Sequence, residues 1–317
     1  MKEKKERISP LKIIGAASLG AALLFCSFYT VPKAFSKEDK ACLEQAYEME
    51  QYTKELGFPG FTVKDYPIAF CDGQKDYVTT WENGEMKMQE RKAVLDSFAA
   101  TAYKVEDHFE VIVPAKKLMS GLVSLMGQSW DEDAQARAIW HEGFHCYQMT
   151  NYEDSAKALL GEYGFGEDFG EKTGVEQYEA HPEAVALFEE QSKLLYDAIF
   201  AEDESVVLKN MKKYKELDEE RMALFDPESG MQELENYYTV IEGTAQYVEA
   251  FFGKKQDETV YTTNYLNMLC DYVAGNGKYY KRGMAQALLL DKLDADWKSD
   301  YDFSVPMIEL IYENLGL

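Results

Sequence analysis

Two of the chain's four histidines, His141 and His145, stand four positions apart in the run His141-Glu142-Gly143-Phe144-His145. On a helix, residues i and i+4 share one face, so both imidazoles can close on a single metal ion while Glu142 lies beside a water that the ion activates. That chemistry is metal-assisted hydrolysis: neutral imidazole suits zinc, and a carboxylate that is not a ligand is available as general base. The neighbours Ala138, Ile139, Gly143, Phe144, Cys146 and Tyr147 carry no charge, as a buried helix whose only ionisable groups are its site residues requires. The competing reading, two polar histidines on an ordinary amphipathic helix, needs the spacing and the glutamate to coincide by accident.

The element that must carry these residues is a helix with a legible start. Ser129-Trp130-Asp131-Glu132 has the form of a capping box, which predicts a helix from near Trp130, and Asp131, Glu132 and Asp133 then lie in the first turn where the helix dipole favours negative charge. Gly143 costs about 1 kcal/mol of helix propensity relative to Ala. It signals either the close approach of another backbone or a packing role.

Zincin metallopeptidases share the H-E-x-x-H pattern, and this stretch resembles them. Metzincins would extend the motif with Gly and then His where this chain has Gln148 and Asn151, so that branch is excluded. A catalytic zinc needs three protein ligands. The remaining arrangement is that of the gluzincins, with a carboxylate from a second helix. Glu242, in Ile241-Glu-Gly-Thr-Ala-Gln-Tyr247-Val-Glu249, resembles the metal-binding glutamate of the E-G-x-A-x-Y segment of gluzincin aminopeptidases and of uncharacterised bacterial H-E-x-x-H proteins. It stands much further from the motif than in familiar gluzincins, which implies a helical insertion between the two.

The rivals for third ligand are Glu183 and Glu179, one helical turn apart, and Glu167 in the glycine-rich loop. His181 is a further candidate, as ligand or as oxyanion donor, against a structural place at a helix start before Pro182. With His141, His145 and Glu242 on zinc and Glu142 as general base, the oxyanion candidates are Tyr247, Tyr238 and His181.

Residues 1–36 differ in composition from the rest. Lys2, Lys4, Lys5, Arg7 and Lys12 precede an uncharged run from Ile13 to Val31, and Ala34-Phe35-Ser36 offers small residues for cleavage. This predicts an export signal cut after Ser36. The alternative is a retained anchor with membrane attachment through residues 13–31, since that run is long enough to span. Either way the protein is extracytoplasmic, secreted or membrane-anchored; Cys26 follows the bulky Phe25, which argues against lipidation. Cys42, Cys71, Cys146 and Cys270 then allow two disulfides in three pairings, or free buried thiols. Cys146 is turned about 100° from His145 on a helix, which places it in the core rather than on the metal.

With 317 residues, 46% of them hydrophobic, the chain can bury a large core, and its net charge of −24 repels nucleic acid. Peptide or protein is the partner class that the resemblance to zincin metallopeptidases implies. A helix is expected over 37–56, strands over 61–114 separated by turn signals such as Asn83-Gly84, and helices at about 183–200, 204–225, 231–252, 261–274 and 278–294. Strands followed by helices predict an α+β fold: a small N-terminal antiparallel sheet in 37–128, then a mainly helical zincin-like region in 129–317. The acidic, glycine-rich stretch at 161–174 is a lid or a plain surface connection, and the tail from Gly277 reads as packing helices. The function these residues predict is an exported zinc metallopeptidase. The alternatives are a zincin-like cell-surface binding module without turnover, and a purely structural metal.

Overall fold

A computed structural model describes residues 35–95, 99–116, 118–119, 132–163 and 172–317. The apolar run at 13–31, Ser129 of the expected capping box, and Glu167 lie outside the described residues. Among the described residues no helix is long and apolar enough to cross a membrane. The fold is α+β.

Among the described residues the five strands are β1 (Ile68–Cys71), β2 (Lys75–Glu82), β3 (Glu85–Lys92), β4 (Thr101–Val105) and β5 (His108–Pro114), in the order β3-β2-β1-β5-β4. Hairpins join β2 to β3 and β4 to β5; Asn83 and Gly84 both take positive φ, 54° and 83°, as a tight two-residue turn demands. The expected antiparallel sheet is corrected in its centre: β1 and β5 run parallel, with Ile68 opposite Val111 and Phe70 opposite Val113. Local alternation specifies hairpins but carries no signal for the direction in which two distant strands meet. β1 is buried along its whole length, and β4 forms one edge.

The helices are α1 (Lys37–Glu48), α2 (Glu132–Ala158, carrying the motif), α3 (Pro182–Phe200), α4 (Glu204–Met222), α5 (Met231–Gln256), α6 (Glu258–Asn264), α7 (Gly277–Leu293) and α8 (Met307–Leu315). The helix expected over 37–56 breaks after Glu48 into short turns and stops at Gly57, whose φ is 91°. Phe61-Thr-Val forms no strand, and the stretch from 261 to 274 is α6 followed by a 3-10 turn at Leu266–Met268. One core joins the strand region to the helices: Leu43, Phe70 and Val111 share it with Trp140, Phe144, Val248 and Leu289. Trp140 anchors α2 to α1 by donating its indole N–H to Ala46 O at 2.9 Å. No two of the described cysteines Cys42, Cys71, Cys146 and Cys270 are joined by a disulfide, and Cys146 is fully buried.

Gly143 is where α2 sits down on the strand region. A Cβ there would lie 2.8 Å from Val63 Cγ2, so the glycine answers to packing by a side chain and not to another backbone.

The orientation of α5 is fixed by buried charge. Arg221 of α4 donates to both carboxylate oxygens of Glu235, each at 2.7 Å, and Arg282 of α7 adds a third bond at 2.6 Å. Gln191 of α3 accepts from both guanidiniums. Seven residues make nearly two helical turns, so Glu235, Glu242 and Glu249 form one stripe along α5. Clamping the first carboxylate sets the direction of the other two.

Candidate metal centre

α2 and α5 meet with the motif histidines facing the middle of that stripe. His145 Nε2 lies 3.2 Å from His141 Nε2 and 3.1 Å from Glu242 Oε2, and His141 Nε2 lies 3.4 Å from the same oxygen. A tetrahedral ion with ligand bonds of about 2.05 Å sets its donors about 3.3 Å apart. The three separations match that edge length without rearrangement. Among the described residues this is the one group of histidine, cysteine and acidic side chains whose donor atoms converge closely enough to hold a metal ion.

The far side of each imidazole is tied. His141 Nδ1 donates to Glu249 Oε2 at 3.1 Å, and Glu249 is held in turn by the Tyr265 hydroxyl at 2.6 Å and by Gln246 Nε2 at 3.2 Å. His145 Nδ1 faces Gln148 Oε1 at 2.8 Å. The Gln148 amide group donates to Ile241 O at 3.1 Å and to Thr244 Oγ1 at 2.8 Å, so its oxygen must be the atom that accepts from the imidazole. Both rings therefore carry hydrogen on Nδ1 and can direct the Nε2 lone pair at the shared point, which is how ligating histidines are oriented.

The electrostatics are those of a pair of imidazoles doing a cation's work. Burial opposes protonation of His141, yet hydrogen bonds with Glu242 and Glu249 hold its pKa well above 6.5. His145 is raised as well, burial being outweighed by the charge and hydrogen bond of Glu242. Burial pushes Glu242 and Glu249 upward, but His145 and His141 pull Glu242 further down, and His141 with the Tyr265 hydroxyl does so for Glu249, so both stay ionised. A divalent ion would replace those protons at the same carboxylates.

The cluster opens into a cleft of about 330 Å³ lined by Ala100, Thr101, Ala102, Glu142, Met149, Tyr237, Ile241 and Tyr280 along with the three donors. Glu142 lies on this wall without joining the donor group. Tyr280, on α7, stacks over His141 with ring centroids 6.2 Å apart, and its hydroxyl feels the charge of Glu242. Burial, then the Glu242 charge, raises its pKa, so it remains a donor. The close crossing of α5 and α7 explains its reach: a Cβ on Gly243 would overlap Gly283 Cα, so only glycines let the two backbones touch here.

The other expected site residues lie elsewhere. Tyr247 is a correction: five positions from Glu242 turns it about 140° around α5. Its hydroxyl donates to Asp291 at 2.6 Å and accepts from Lys298 at 3.0 Å, in a separate pocket. His181 is the residue before α3, exposed, with its ring edge on Phe225, and it does not line the cleft. Tyr238 stacks on Tyr279. Glu179 accepts from Tyr272, Gly275 and Lys278, and Glu183 sits exposed in the first turn of α3. Glu249, Gln148 and Tyr280 were not singled out from sequence; the spacing of seven from Glu242 marks Glu249, whereas Tyr280 has no local signal.

No family model, curated relative or solved structure matches the chain.

Proposed function

We propose that the chain is a zinc-dependent peptide hydrolase, gluzincin-like in taking two imidazoles from one helix and a carboxylate from another. The observation that carries this reading is the convergence of His141 Nε2, His145 Nε2 and Glu242 Oε2 at tetrahedral spacing beside Glu142, a carboxylate outside the donor group. Zinc bound there would supply a Lewis acid able to polarise a carbonyl and lower the pKa of water. Glu142 takes a proton from the attacking water and returns it to the amine nitrogen as the C–N bond breaks. Tyr280 donates to the oxygen on which negative charge develops. Ala100, Thr101 and Ala102 form one wall of the cleft, and Met149, Tyr237 and Ile241 give an apolar surface beside it for a substrate side chain.

In this reading the basic and apolar amino terminus delivers the enzyme outside the cytoplasm, released or held at the membrane through residues 13–31. The test is release of peptides from a mixed unstructured library by the zinc-loaded protein, with Glu142→Gln as control. A loss of about 10²-fold or more in the variant, with zinc retained, is expected of a missing general base. Zinc binding with no hydrolysis by the unaltered protein would leave the alternative, a binding module with a zincin-like metal centre.

A further inference from the structure

The carboxylate of Glu142 is tethered. Its Oε2 accepts from the main-chain N–H of Ala102 at 2.9 Å, a bond between α2 and β4. β4 is an edge strand that pairs with β5 alone, Ala102 lying opposite Val111. The Ala102 N–H therefore points away from the ladder, where an edge-strand donor ordinarily meets water. Here it meets a carboxylate in the same cleft as the three donors. Among the described residues, Glu142 Oε1 has no hydrogen-bond partner.

A tether is needed because Glu142 stands beside a strong electrostatic attractor. Its charge acts on both His141 and His145. A glutamate side chain turns about three bonds, and one that swung inward would add a fourth protein ligand. A zinc site closed by four protein ligands is structural, whereas one with three keeps a position open for chemistry. We propose that the Ala102 main-chain amide is a positioning group that keeps Glu142 off the donor cluster as a non-ligand base, with Oε2 fixed and Oε1 presented to the reacting water. The inference about turnover rests on the proposed hydrolase; the tether itself does not.

Two arms separate these. In the full chain labelled with ¹⁵N-alanine, without added metal, Glu142→Ala should move the Ala102 amide proton upfield and speed its exchange with solvent about tenfold or more, as expected for a lost hydrogen bond. An unmoved Ala102 amide overturns the proposal whether or not the protein is an enzyme. Ala102→Pro removes the donor at an edge position where proline costs no ladder bond. It should lower kcat about tenfold or more with KM within about twofold and zinc content retained, the pattern of a mispositioned base. Unchanged kcat in a folded, zinc-loaded variant also overturns the proposal; should this variant fail to fold, the amide arm decides alone. Absence of hydrolysis by the unaltered protein counts against the proposed function and leaves the amide arm intact.

Discussion

Gln148 Oε1 lies 2.8 Å from His145 Nδ1, and its position is enforced because the same side chain spends its amide hydrogens on Ile241 O and Thr244 Oγ1. Thr244 gives its own hydroxyl to Val240 O at 2.6 Å, so the chain of donors runs from the imidazole on α2 to a backbone carbonyl of α5, and that terminal acceptor fixes the tautomer of the imidazole. Replacing Gln148 by Leu should weaken zinc affinity 10- to 100-fold, the usual cost of losing such a partner. Competition against a calibrated chelator measures it. Unaltered affinity would mean that His145 is oriented by other contacts.

Much of this arrangement was legible locally. The motif fixes its own helical face, and Glu242 stood out by its sequence context. Glu249 required only the helical period, but in so acidic a chain one carboxylate among many does not announce itself. Tyr280 was not legible: it reaches the cluster because Gly243 and Gly283 let α5 and α7 touch, a relation between distant segments. β3 lies within the expected strand region but was not picked out as a strand of its own, because Glu85-Met-Lys-Met-Gln-Glu-Arg-Lys is mostly exposed and only Met86 and Met88 alternate with polar residues. The parallel pairing of β1 with β5 is similarly non-local.

Glu235 should prove the most sensitive buried charge outside the site. Removing its carboxylate by Glu235→Ala leaves Arg221 and Arg282 buried without their shared partner, at a cost of about 3–5 kcal/mol. Urea unfolding of the metal-free protein measures the loss. A change below about 1 kcal/mol would show that these guanidiniums find other partners.

Cation uptake should release protons. A metal ion binds only neutral imidazole, and both histidines hold their protons above the ordinary pKa of 6.5. Affinity therefore rises with pH above that value and levels off past the raised pKa values, while Glu242, already ionised, contributes no slope near neutrality. Calorimetric titration with zinc in buffers of different ionisation enthalpy counts the protons. A flat affinity between about pH 6 and 8 with none released would contradict the protonated cluster.

Two tyrosines should respond differently. Tyr280→Phe removes the donor over the cleft and should reduce kcat about 10²-fold with zinc retained. Tyr247→Phe, on the far side of α5, should leave kcat within about twofold and instead cost about 1 kcal/mol through its lost bond to Asp291. Steady-state kinetics beside thermal unfolding distinguishes the two, and the reverse pattern would move the oxyanion donor back to Tyr247.

The central claim is that one divalent cation sits between His141, His145 and Glu242. Equilibrium dialysis against zinc, followed by elemental analysis, tests it on the unaltered protein and on Glu242→Ala. The account predicts one zinc per chain in the first and a steep loss in the second, with both proteins folded. Full zinc content in Glu242→Ala, or none in the unaltered chain, would contradict it.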